Sequence, residues 1–210
     1  MNLVTAALIA YLIGSISFAM LVSRAFGLPD PRSYGSGNPG ATNVLRTGRR
    51  AAAALTLLGD ALKGWFAVAV VQQHVVADPL AGGVAAVAVV AGHMWPLYFR
   101  FTGGKGVSTA LGVLAALDLW LAAGAVATWL VIASIFRYSS LSALVAAAFA
   151  VFLSFFLYGM HRFALEPAVG VTVVSALLIW RHRTNIRNLI AGTEGKIGSG
   201  TGMEDSGVRI

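Results

Sequence analysis

Three short polar segments interrupt an otherwise apolar chain, and each is made of residue types that bind anions. The first is GSGNPGATNVLR, Gly35 to Arg46. Small residues such as Gly35 and Gly37 let backbone N–H groups converge on an anion. Ser36, Asn38, Thr42 and Asn43 add neutral donors, and Arg46 adds a forked cation. The same composition also suits a plain interhelical turn, because Gly and Asn are ordinary turn residues. The second segment is GHMWP, Gly92 to Pro96, followed by FTGGKGVST, Phe101 to Thr109. Here Gly103 and Gly104 lead into a helix, whose amino terminus attracts phosphate, and Lys105 supplies charge. The G-x-x-x-x-G-K-[ST] spacing of a nucleotide-binding loop is absent. His93 reads as a helix-end histidine bonded to backbone rather than as a metal ligand. The third segment is RHRTNIRN, Arg181 to Asn188. It is a basic cluster at a helix exit that also places His182 and Asn185 three residues apart, on one helical face.

Two smaller features accompany these. Asp60 and Lys63 fall in the middle of an apolar stretch, where a lone charge costs on the order of 3 kcal/mol. Their spacing of three predicts a mutual ion pair with a structural role. Ser142 follows a short turn at Arg137, where it caps a helix or touches substrate.

Other chemistries lack their residues. There is no cysteine, which removes disulfides, thiolate metal sites and a thiol nucleophile. No carboxylate pair, Ser-His-Asp order or metal-ligand cluster is present. His161 and Glu166 have the spacing of an H-x-x-x-x-D box but end in Glu, and read as an exposed loop. A cation-rich, carboxylate-poor site suits anions and does not suit metal-assisted hydrolysis.

The elements that position these segments are set by composition. The chain is 58% hydrophobic and 11% charged, against roughly 25% charged in soluble domains. Lipid must be part of its solvent. The net charge of +7 lies between apolar stretches, which points to topology and anionic substrates rather than nucleic acid. Candidate spans are Leu3–Phe26, Ala51–Val76, Pro79–Phe99, Leu119–Phe136, Leu141–Tyr158 and Phe163–Trp180. The first lacks a basic segment ahead of its apolar run and reads as a retained helix, not a signal peptide.

The stretch from Val107 to Phe136 is one long helix or two meeting at Asp118. Two helices, with the amino terminus outside, put thirteen of the fifteen Lys and Arg on the cytoplasmic side. One helix would invert the parity and place Arg137 outside. The positive-inside bias therefore predicts seven transmembrane helices in an all-α integral membrane protein, with the carboxyl terminus cytoplasmic. The fourth, Val107–Leu117, is too short to cross a ~30 Å core and is expected to lie obliquely. All three polar segments then share one face. Residues 1–197 form a single domain, and the Gly/Ser-rich tail, 198–210, is expected to be disordered.

Across nearly its whole length to about Gly198, the sequence resembles the bacterial acyl-phosphate:glycerol-3-phosphate acyltransferases, the PlsY family. The resemblance rests on GSGNPGATNVLR, on GDALKG at Gly59–Gly64, on GHMWP and GGKGVST, and on RHRTNI and GTEGKIG between Arg181 and Gly198. It implies seven spans and a reaction without metal or cofactor. In that reaction the 1-hydroxyl of glycerol-3-phosphate attacks an acyl phosphate, and lysophosphatidic acid and inorganic phosphate leave. It implies that Ser36, Gly37 and Asn38 hold the acyl-phosphate phosphoryl group. Arg46, Lys105, His182 and Asn185 hold the phosphate of glycerol-3-phosphate or developing charge. Thr42, Asn43, Gly103, Gly104 and Ser142 are further substrate contacts. A substrate phosphate is implied as the base, with His182 the side-chain alternative. The expected partners are acyl phosphate, glycerol-3-phosphate and membrane lipid, with a monomer at the inner membrane. Thr102, Asn188 and Gly195 depart from the family pattern at peripheral positions. An anion transporter is the competing reading, but it needs polar residues through the midplane, where only Asp60 and Lys63 stand.

Overall fold

Long apolar runs without water leave the backbone one way to satisfy its polar groups, and the chain takes it by coiling into helices. The computed structural model describes residues 2–75 and 78–198. Among them the helices are α1 Leu3–Gly14, α2 Phe18–Ala25, α3 Ala41–Leu45, α4 Arg50–Val70, α5 Pro79–Met94, α6 Val107–Leu117, α7 Leu119–Phe136, α8 Ser139–Gly159, α9 Leu165–Arg181 and α10 Arg183–Ile190. One π-helical turn, Val71–Val75, continues α4. The tail beyond Gly198 lies outside the described residues.

The bundle is built inside out relative to a soluble protein. Leu58, Leu62 and Phe66 on α4 are more than half exposed, whereas Asp60 and Lys63 on the same helix are 1% and 4% exposed. Apolar side chains at four-residue spacing thus face outward, and the ion pair faces in. That is the arrangement lipid selects. Five helical segments are long and apolar enough to cross a membrane: Leu3–Ala25, Arg50–His74, Pro79–Phe99, Leu119–Phe136 and Ser139–Gly159. The 17-residue α9 and the 11-residue α6 complete the bundle.

Asp118 divides the long apolar stretch as expected. Its backbone is extended, and its carboxylate accepts from the N–H groups of Trp120 and Leu121, capping α7. The first span departs from expectation: it is two helices, not one, interrupted at Ser15–Ser17. The third also ends early, at Met94, before a short 3-10 turn at Leu97–Phe99.

Helices meet through small residues, as bundles in lipid do. A Cβ on Gly112 of α6 would fall 1.8 Å from the Ala61 carbonyl oxygen of α4. One on Gly64 of α4 would fall 2.2 Å from the Thr109 carbonyl oxygen of α6. The two backbones are therefore in contact, and α6 is held against α4 along its length. Gly14 against Val89 and Gly92 against Tyr11 do the same for α1 and α5. These contacts lock the start of α6, and with it the Gly103–Gly106 loop, to the centre of the bundle.

Candidate active site

The loop before α6 is organised from both sides. The Gly104 N–H donates to the His93 carbonyl at 3.2 Å. The Arg181 guanidinium donates to the Gly103 carbonyl at 2.8 Å and to the Gly104 carbonyl at 3.1 Å. With its carbonyls turned toward Arg181, the loop enters α6 through Gly106, whose φ of +85° suits glycine. No side chain caps α6, so its first N–H groups stay available to an anion. Lys105 stands beside them, half-buried. Burial lowers its pKa, the cations Arg181 and Arg46 press the same way, and Glu194 opposes them. A bound anion would relieve that penalty.

The first polar segment forms a loop facing this one. Asn43 is spent on holding it. Its amide donates to the carbonyls of Pro31 and Tyr34, and its Oδ1 accepts from the Ser36 N–H at 2.9 Å and hydroxyl at 3.2 Å. Both ends of the side chain are occupied, so Asn43 shapes the loop, and it also borders the pocket described below. Thr42 bridges to Ser139 at the start of α8, 3.3 Å away.

The third segment closes the pocket. His182 is the joint between α9 and α10, 3% exposed. Its Nδ1 lies 2.8 Å from the Leu178 carbonyl, and a carbonyl only accepts. The ring proton therefore sits on Nδ1, and Nε2 keeps its lone pair. Burial lowers the ring's pKa to about 4, and the Lys105 charge contributes to that depression. Asn185 and Ser140 both donate to Glu194, at 2.7 and 2.5 Å. Ile197 donates its N–H to the Arg137 carbonyl, so residues 194–197 lie as a strap over the α7–α8 turn.

Together these parts line a polar pocket of about 170 Å³. Ser36, Asn38, Thr42, Asn43, Arg46, Lys105, His182 and Asn185 border it, as do Asp60, His93, Ser140 and Glu194. Next to it lies an apolar cavity of about 280 Å³ between α4, α6, α7, α8 and α9. The two share Leu57, Val107, Ser108, Trp129 and Ala143. Among the described residues no cluster of three or more His, Cys, Asp or Glu has metal-binding geometry.

The family model for glycerol-3-phosphate acyltransferase matches residues 4–192. The chain belongs to this family. It is 54% identical over 198 residues to a glycerol-3-phosphate acyltransferase of Burkholderia pseudomallei, covering 94% of this chain and 97% of that one. It is 58% identical over 194 residues to the Bordetella pertussis enzyme, covering 90% and 89%. Two crystal structures of PlsY (YgiH), an integral membrane glycerol 3-phosphate acyltransferase, share the fold. The glycerol 3-phosphate form aligns with TM-score 0.85 and 36% identity over 93% of this chain and 96% of its own. The lysophosphatidic acid form aligns with TM-score 0.84 and 35% identity over 93% and 95%.

Against this family frame, several sequence expectations shift. Gly37, Gly103 and Gly104 are not among the residues that border the pocket, and Gly104 packs against the His93 ring. Ser142 neither caps α8 nor faces the pocket: it is fully buried, and its hydroxyl donates to the Tyr138 carbonyl. Ser140, two residues earlier, faces the pocket instead. His93 bonds to side chains through its ring, not to backbone. Asp60, His93, Ser140 and Glu194 are polar pocket residues that sequence reasoning did not place there. The signal for His93 was the buried Asp60–Lys63 pair, which needed a third polar group near it.

Proposed function

We propose that this chain transfers a fatty acyl group from acyl phosphate to the 1-hydroxyl of glycerol-3-phosphate, giving lysophosphatidic acid and inorganic phosphate. The observation that carries this reading is the shared wall between a cation-lined pocket and an apolar cavity. A substrate with a phosphorylated head and a long chain fits across that wall. Its reacting carbonyl then falls near Val107, Ser108 and Trp129. The acyl chain enters sideways from lipid, because the cavity lies among helices whose outer faces are apolar.

The residues divide the work by charge. The Ser36 hydroxyl and the Asn38 amide hold the acyl-phosphate phosphoryl group. Arg46, Lys105 and Asn185 hold the phosphate of glycerol-3-phosphate and the charge that develops during attack. His182, neutral and with Nε2 free to accept, receives a hydrogen bond from the 2-hydroxyl of glycerol-3-phosphate and so aims the 1-hydroxyl, whose own proton stays free for the phosphate. The hydroxyl oxygen bonds to the acyl carbon as the bond from that carbon to the phosphate oxygen breaks. The departing phosphate takes the hydroxyl proton, so no side-chain base is required. This suits a pocket whose carboxylates, Asp60 and Glu194, are already engaged by Lys63 and by Ser140 and Asn185.

The same reading places the pocket on the cytoplasmic side of the inner membrane. The amino terminus is outside, the helices make seven spans, and the carboxyl terminus is cytoplasmic. A single copy of residues 1–197 is the proposed functional unit. The test is phosphate release by detergent-purified protein given glycerol-3-phosphate with palmitoyl phosphate, and separately with palmitoyl-CoA. Release with palmitoyl phosphate that depends on glycerol-3-phosphate, and no acylation from palmitoyl-CoA, is the expected result. Equal use of both donors would remove the donor assignment.

A further inference from the structure

Beneath the pocket lies a buried polar group that the reaction above does not use. The Lys63 ammonium meets the Asp60 carboxylate at 2.7 Å, the Ile16 carbonyl at 2.5 Å and His93 Nδ1 at 3.0 Å. The Thr109 hydroxyl lies 3.1 Å from the same ring nitrogen. Lys63 ties together the break in the first span, the middle of α4 and the end of α5.

This network fixes the state of the His93 ring. The Asp60 carboxylate also faces Nδ1, but at 3.5 Å and already paired with Lys63; the ammonium is nearer and has only protons to offer, which favours Nδ1 as the acceptor. A ring proton on Nδ1 would stand against the ammonium. His93 is therefore neutral, with its hydrogen on Nε2. That nitrogen has no hydrogen-bond partner among the described residues, and His93 borders the polar pocket. Its place is defined by Gly104: a Cβ added there would fall 2.3 Å from Nε2 and 2.8 Å from the Pro39 carbonyl oxygen. Nε2–H thus sits where the two anion-binding loops meet. The pocket holds two neutral histidines of opposite tautomer, His182 as acceptor and His93 as donor.

We propose that His93 Nε2–H donates a hydrogen bond to a phosphoryl oxygen of bound substrate, and that Asp60 and Lys63 are positioning residues that hold the donor tautomer. A neutral donor at this depth adds a directional contact without adding to the charge of Lys105 and Arg46. The inference rests on the function proposed above, but its test does not depend on turnover.

The full chain in detergent, labelled with 15N-histidine, shows four histidines, and loss of one signal set in His93→Gln assigns His93. The expected spectrum has a proton on Nε2 and none on Nδ1. The Nε2 resonance is expected to shift on titration with glycerol-3-phosphate or with the methylene phosphonate analogue of palmitoyl phosphate. Whichever ligand shifts it names the phosphate that is bound. In kinetics, His93→Gln keeps an N–H near the Nε2 position and is expected to stay within about threefold of wild type. His93→Asn places its amide at the Nδ1 position and is expected to lose roughly tenfold or more in kcat/KM. An Nε2 resonance unmoved by both ligands, or a proton found on Nδ1, would overturn the proposal. So would an Asn variant as active as the Gln variant. If neither variant folds, Gln variants of His74, His161 and His182 assign the other three signals, and the wild-type titration still decides. Wild type that uses no acyl phosphate would retire the donor reading while leaving the glycerol-3-phosphate shift to judge His93.

Discussion

Lys105 is a half-buried ammonium beside the uncapped start of α6, with Arg46 and Arg181 adding to its electrostatic penalty. A group placed so awkwardly is explained by an anionic ligand. Lys105→Ala is expected to cost a hundredfold or more in turnover, on the order seen when one preorganised donor is lost. The melting temperature of the variant should be unchanged or slightly raised, since a desolvation cost is removed. Near-normal turnover in folded protein would take Lys105 out of the site. His182 gives a second test, in pH. Its folded pKa is about 4 against an ordinary 6.5, so the folded state resists a proton that the unfolded chain accepts. The corresponding stability is complete above pH 6.5, falls as pH drops toward 4, and is gone below it. Thermal melts of wild type are expected to decline across that window, and those of His182→Asn to decline less. Parallel curves would show that the ring does not titrate between the two states.

Helices expose what was readable in the chain and what was not. The break at Asp118 was legible because charge parity demanded it, and Asp118 carries the side chain that caps the next helix. The gathering of the three polar segments on one face was legible because they interrupt an apolar chain on the side that charge parity assigns them, and residues of all three line one pocket. The interruption at Ser15–Ser17 was not legible. Nothing local stops the helix there; the Ile16 carbonyl is satisfied by Lys63, which lies 47 residues away. The bonding of Asn43 and Ser142 was not legible for the same reason, since only the folded chain shows their polar atoms bonded to Pro31, Tyr34, Ser36 and Tyr138. Gly112 carries a prediction at this level. A methyl group there would sit 1.8 Å from the Ala61 carbonyl oxygen, so Gly112→Ala must push α6 from α4. A loss of about 1–3 kcal/mol is expected, read as a lower melting temperature, with the KM for glycerol-3-phosphate raised because the Gly103–Gly106 loop moves with α6. An unchanged melting temperature would mean the two helices are not held by that contact.

Across the whole molecule, one bundle has to serve two solvents. Its outer faces are apolar, its interior carries an ion pair, and its polar pocket opens beside a cavity walled by Leu111, Val113, Ala146, Ala147, Val171 and Val174. In the proposed function, the shared border at Leu57, Val107, Ser108, Trp129 and Ala143 is where a water-soluble phosphate and a lipid chain would meet at one reacting carbonyl. Filling the cavity while leaving the pocket intact tests that claim most directly. Ala146 lines the cavity and not the pocket. Phosphate release by Ala146→Phe should be measured with palmitoyl phosphate and with butyryl phosphate, each with glycerol-3-phosphate. The account predicts a loss of roughly tenfold or more in kcat/KM for the long donor and little change for the short one. Equal loss for both, or none for either in folded protein, would contradict the joining of pocket and cavity into a single active site.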